Sequence, residues 1–212
     1  MKIIFSRHGN TFAPGETAIW VGEKQDLPLV ASGIQQAKNL AGVIQQVGIK
    51  LNAIYCGSLK RTSDYAKIIV DELHSSLKPI IDPRLNEIDY GNWSGLSSLE
   101  IQKQGGGDEL LGWENFGEWP KEAGWPGSAE IISDEVNAFA NDLIKKYTPT
   151  DRVLVIASNG RLRYFLRLIP IAFEQCIQNK NLKVATGNLC LLEYTNQKWH
   201  LKFWNKQPEL LL

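Results

Sequence analysis

The chain has 212 residues, and its 23 Lys+Arg balance 23 Asp+Glu to a net charge of zero. That length suits one α/β domain able to bury a core without staples, and the neutral balance argues against nucleic acid or an anionic membrane as the partner. The three cysteines, Cys56, Cys176 and Cys190, are odd in number and form no C-x-x-C pair, which excludes a zinc knuckle or a disulfide framework.

In chain order, residues 2–6 are a short apolar strand that ends on Arg7, His8 and Gly9. The run before Arg7 is too short for a signal peptide, and no apolar run approaches the length of a membrane span, so a soluble cytoplasmic protein is expected. Residues 32–48 place Ile34, Ala37, Ala41, Ile44 and Val47 near helical period, which predicts an amphipathic helix. Residues 52–58 read as a second strand ending in Gly-Ser, and residues 59–74 as a helix with Ser58 placed to cap it. Residues 78–82 are a third strand. Residues 128–147 form a long helix with Ile132, Val136, Phe139, Leu143 and Tyr147 on one side. Residues 152–158 are an apolar strand followed at once by a helix over 159–169. Residues 189–194 and 199–204 close the chain as a hairpin turning at Thr195–Gln197.

Strands alternating with helices predict a three-layer α/β sandwich: a mainly parallel sheet, helices on both faces, and ligands at the carboxyl ends of the strands. Segment 104–127 breaks the alternation. Its glycines, prolines and three tryptophans predict an ordered, lid-like insertion in a single domain spanning 1–212.

Three strand ends bring polar residues to one edge: Arg7-His8-Gly9, Ser58 with Arg61, and Ser158-Asn159-Gly160. Helix starts offer free N–H groups to an anion, and guanidinium forks match phosphate oxygens. An imidazole held among them can attack phosphorus. A histidine beside an arginine at a strand end is commonly structural. The Ser-x-x-Arg at the next strand's end makes the phosphate-site reading the stronger one.

The stretches "SRHGNT" (6–11), "LPLVASGIQQA" (27–37), "CGSLKRTSDYAKII" (56–69) and "LNEIDYGNWSGL" (85–96), with a partial match in "VLVIASNG" (153–160), resemble the histidine phosphatase superfamily, the phosphoglycerate-mutase-like fold. The resemblance spans nearly the whole chain in the family's order. It implies a metal-independent phosphatase with His8 as the nucleophile that becomes phosphohistidine and Glu87 as the proton donor. Arg7 and Arg61 would bind the phosphate, with Asn10 against the phosphate or the leaving oxygen. Where the family carries a second histidine this chain has Asn159, a neutral amide that could donate to the phosphoryl group at reduced effect. No cofactor and no metal are implied.

Trp20 and Trp93 are candidates for the pocket mouth, with packing the plainer reading. Cys56 reads as a small buried residue, and His74 and His200 as structural. Arg161, Arg163 and Arg167 are assigned no catalytic role. The 104–127 segment holds Asp108, Glu109, Glu114, Glu118 and Glu122 against Lys121, a net −4. That acidity would repel a polyanion. It favours a phosphomonoesterase with a neutral, cationic or weakly anionic leaving group over a mutase-type phosphoryl transfer. A non-catalytic or weakly active phospho-ligand-binding module is the alternative from another class. The expected partner is a small phosphorylated molecule or phosphopeptide, and the hairpin edge at 189–204 is a candidate homodimer surface.

Overall fold

The computed structural model describes residues 1–211. The first apolar run becomes β1 (Lys2–Arg7), and its alternation assigns each side chain to a face. Ile3 and Phe5 enter one core and Ile4 the other. β1 lies inside a six-stranded sheet with β2 (Ala53–Cys56), β3 (Ile80–Ile81), β4 (Arg152–Ala157), β5 (Leu189–Thr195) and β6 (Lys198–Lys206), in the order β3-β2-β4-β1-β5-β6. β1, β2 and β3 run parallel to their neighbours on the β4 side, and β5 and β6 run antiparallel, so the sheet is mainly parallel as expected. The β5–β6 hairpin turns on Asn196 and Gln197, with φ of +50° and +59°. Such a two-residue turn matches the twist of the strands it joins.

One face is covered by α1 (Ala31–Gln46) and α2 (Lys60–Glu72). The other is covered by α5 (Ala129–Lys146) and α6 (Asn159–Tyr164), preceded in the chain by α3 (Ser98–Lys103) and α4 (Gly107–Leu111). α7 (Ala172–Gln178) follows. Among the described residues no helix is long and apolar enough to cross a membrane.

Several local expectations are corrected. The buried stripe of α1 is Gly33, Ala37, Leu40, Ala41, Val43 and Ile44, and Ile34 is exposed. Gly33 fixes this rotation, because a Cβ on Gly9 would run into Gly33, and one on Gly33 into the Asn10 backbone. The two glycines let the end of β1 touch the start of α1, and Gly9 serves by close approach rather than by positive φ. Ser58 does not cap α2. Its hydroxyl donates to Asn86 Oδ1 (3.0 Å), and the Lys60 N–H at the helix start donates to Asp26 Oδ1 instead (2.6 Å). The helix expected over 159–169 ends at Tyr164, tightens into a 3₁₀ turn over Phe165–Leu168 and stops before Pro170. α3, α4 and α7 were not anticipated; all are seven residues or shorter, too short for a clear period.

Segment 104–127 is ordered by its aromatics. α4 runs into a wide turn over Gly112–Phe116. Trp125 packs against Trp113 (4.8 Å between centroids), Tyr90 (4.8 Å), Trp93 (5.2 Å) and Trp119 (5.2 Å), and Trp20 closes the cluster against Tyr90 at 5.0 Å.

Candidate active site

At the carboxyl ends of β1 and β4 lies a cavity of about 350 Å³. Arg7, His8, Asn10, Arg61, Glu87 and Asn159 all line it. Residues from four separate stretches of the sequence, 7–10, 61, 87 and 159, are thus brought to one cavity. His74 and His200 lie elsewhere.

His8 is 5 % exposed, and its Nδ1 lies 2.8 Å from the Gly9 carbonyl oxygen. A carbonyl can only accept, so Nδ1 carries the proton and Nε2 keeps its lone pair. Burial, then the neighbouring Arg7 and Arg61 charges, hold the imidazole well below its ordinary pKa of 6.5. The ring is neutral at neutral pH.

Among the described residues no carboxylate is hydrogen-bonded to the two guanidinium groups beside it. Arg7 donates through Nη1 to the Val184 carbonyl (2.7 Å), and its enclosed Nε has no partner. Arg61, 1 % exposed, donates to the carbonyls of Gln25 (2.7 Å) and Gly22 (3.2 Å) and, at 3.4 Å, to Ser158 Oγ. Carbonyls aim the forks without neutralising them. Burial nevertheless lowers both guanidinium pKa values, opposed by the charge of Glu87. A bound dianion would compensate what burial costs these groups.

Glu87 is held by the start of α6. Its Oε2 accepts from Gly160 N–H (3.2 Å), and its Oε1 accepts from Arg161 N–H (3.2 Å) and from Ile88 N–H (2.9 Å). A Cβ at position 160 would collide with Glu87 Oε1 and the Tyr90 hydroxyl, so glycine is what lets the carboxylate dock there. Tyr90 is driven well above its ordinary pKa by burial, then by Glu87, and stays a neutral phenol.

Asn159 is the first residue of α6 and does not cap it; the cap position belongs to Ser158. Its Oδ1 accepts from Val184 N–H at 2.8 Å. That bond fixes the amide orientation, because a backbone N–H can only donate, and leaves the Nδ2 hydrogens for the pocket. Asn10 is anchored from both sides: Thr186 Oγ1 donates to its Oδ1, and its Nδ2 donates to Ser32 Oγ (3.2 Å).

Trp20 lines the cavity, whereas Trp93 is buried in the aromatic cluster. Cys56 is fully buried and its thiol is pushed up to about 11 by burial, as befits packing. Two expectations fail here. Of the five lid acids only Glu114 lines the cavity, because the others lie on faces turned away from it; Glu109, for one, accepts from the Lys121 and Glu122 backbones. Arg163, assigned no part in the site, lines it too, with Lys183 and Thr186. An Arg four residues beyond Asn159 falls on the same helix face, a spacing that could have signalled it.

A model of the histidine phosphatase superfamily (branch 1) matches residues 3–207. The chain is 25 % identical to the 2,3-bisphosphoglycerate-dependent phosphoglycerate mutase of Sinorhizobium fredii, over 77 % of this chain and 76 % of that one. It is 27 % identical to the same enzyme of Rhizobium rhizogenes, with the same coverage. In fold it is similar to a mycobacterial glucosyl-3-phosphoglycerate phosphatase, with a TM-score of 0.77, 20 % identity, and 97 % and 99 % of the two chains covered. It is likewise similar to the alpha-ribazole phosphatase of Shigella flexneri, with a TM-score of 0.72, 20 % identity, and 97 % and 96 % covered.

Proposed function

This chain belongs to the histidine phosphatase superfamily, and we propose that it is a phosphomonoester hydrolase working through a phosphohistidine on His8. The observation that carries the reading is the locked tautomer: Nδ1 bound to the Gly9 carbonyl, with Nε2 unprotonated among two arginines. The phosphoryl oxygens sit on Arg7 and Arg61, with amide donors from Asn10 and Asn159. Nε2 attacks phosphorus, the ester P–O bond breaks, and its electron pair leaves on the alkoxide, which takes a proton from Glu87. A water then attacks the phosphohistidine, Glu87 accepts its proton, and the P–N bond breaks to release phosphate and free His8.

For Glu87 to act as the acid it must be protonated when the ester is bound. The N–H groups of Gly160, Arg161 and Ile88 hold the carboxyl in place. From the same position it takes the proton from water in the second step. The guanidinium groups supply the positive charge that a metal supplies in other phosphatases, so turnover is expected to survive a chelator.

The test is a screen of small phosphomonoesters with wild type and His8→Ala, with acid-labile phosphoryl labelling as a second readout. Turnover lost in the variant at unchanged melting temperature, with label on His8, is the expected result. A variant that keeps near-wild-type rate, or acid-stable label elsewhere, would remove His8 from the role. Supplying a phosphorylated hydroxy acid as acceptor separates hydrolysis from mutase-type transfer: free phosphate is expected to be the main product.

A further inference from the structure

We propose that Arg163 forms a second anion subsite on the leaving-group side of the cavity, selecting phosphate esters whose leaving group carries a carboxylate or a second phosphate. The proposal rests on the phosphomonoesterase reading of the same pocket.

Arg163 is 1 % exposed. Its guanidinium carbon lies 4.2 Å from the centre of the Trp113 ring, and its Nη1 donates to the Trp113 carbonyl (2.7 Å). Its enclosed Nε has no partner among the described residues. Buried guanidinium groups are ordinarily paired with a carboxylate, and Arg161, two residues earlier, shows what that looks like. Arg161 donates to Glu135 Oε2 (2.5 Å) and to the Asn86 carbonyl (2.9 Å), and it does not line the cavity. Arg163 has one neutral carbonyl and one ring face. The carboxylates that share the cavity with it are Glu87 and Glu114. Glu87 is already taken up by three backbone N–H groups.

The position follows from who its neighbours are. Arg7 and Arg61 are aimed by the carbonyls of Val184, Gln25 and Gly22, whereas Arg163 stacks on Trp113 and donates to its carbonyl, one residue before the cavity-lining Glu114. Arg163 therefore lies on the 104–127 side of the cavity, where the alcohol departs rather than where phosphorus is attacked. Lys183 stands at the mouth, exposed, as a further cation. Across the cavity Arg7, Arg61, Arg163 and Lys183 face only Glu87 and Glu114, an excess of positive charge that one phosphoryl dianion does not use up. The tryptophan ring and its carbonyl hold the fork in place before the ligand arrives, which lowers the ordering cost of binding.

Non-hydrolysable phosphonates test the subsite without asking for turnover. Propylphosphonate, 3-phosphonopropionate and 1,3-propylenediphosphonate share the first anion and differ in the second. A charge-assisted bond predicts that at least one of the two doubly charged probes binds wild type about 10- to 100-fold more tightly than propylphosphonate. In Arg163→Met, which keeps the packing on Trp113, that advantage is expected to fall to within about threefold. Arg163→Gln serves if the Met variant does not fold. No advantage in wild type, or an advantage that persists in the folded variant, overturns the subsite. Should wild type hydrolyse no phosphomonoester at all, the enzymatic reading fails while the binding ratios still decide this one.

Discussion

At the residue scale, His8 and Asn159 each owe their state to one backbone group. The Gly9 carbonyl fixes the tautomer of His8, and burial, with the Arg7 and Arg61 charges, keeps the imidazole neutral. The unfolded chain therefore takes up a proton first as pH falls, near the ordinary histidine value of about 6.5. Stability from this group is complete above that pH and declines below it, and the decline is expected to be absent in His8→Gln. A ring titration followed by NMR checks the premise: a His8 midpoint near 6.5 would contradict a buried neutral imidazole. Asn159 has its amide oriented by Val184 N–H, so its Nδ2 can donate to a phosphoryl oxygen but brings no charge. Asn159→Ala should lower turnover, by less than the 10²–10³-fold typical for loss of one transition-state donor. Asn159→His should match or exceed wild type. An Ala variant that turns over like wild type would reduce Asn159 to a brace for the 184 loop.

At the element scale, the short helix α6 and the aromatic lid do most of the placing. The α6 start holds Glu87 with the N–H groups of Gly160 and Arg161. If this carboxyl is the proton donor, Glu87→Gln should slow alkyl phosphates by about 10²–10⁴-fold. It should slow a nitrophenyl ester far less, because that leaving group departs without a proton. Equal losses on both would take the acid role from Glu87. The lid depends on Trp125, 6 % exposed and packed among four aromatic rings within 5.2 Å or less. Trp125→Ala should cost about 3–5 kcal/mol by chemical denaturation. It should also raise KM, since Trp20 and Trp113 both line the cavity and lean on that ring. A variant with wild-type stability would mean that the lid is held by something else.

At the scale of the whole molecule, zero net charge conceals a strong separation. The lid's acids point mostly to solvent, and the cavity gathers four cations against two carboxylates. The net −4 of the lid therefore says little about the field a substrate meets, which is set by the side chains that face it at close range. Order and kind of element were legible in the linear pattern: a buried run ending in Arg-His-Gly, a second ending before Ser-x-x-Arg, and helices between them covering a parallel sheet. Those features are local, because period and strand-end chemistry are written in adjacent residues. Arg7, His8 and Arg61 could be named on the same grounds, and Glu87 only through the family pattern. Which way a side chain turns is not local. Arg161 and Arg163 are two residues apart on one helix, yet one is spent on Glu135 and the other opens into the cavity. Asn159, at a helix start, has its amide oxygen held by the Val184 N–H, 25 residues away. Such choices depend on which distant backbone groups and acids arrive next to a residue when the sheet and the aromatic lid close over it, so tertiary packing alone decided them.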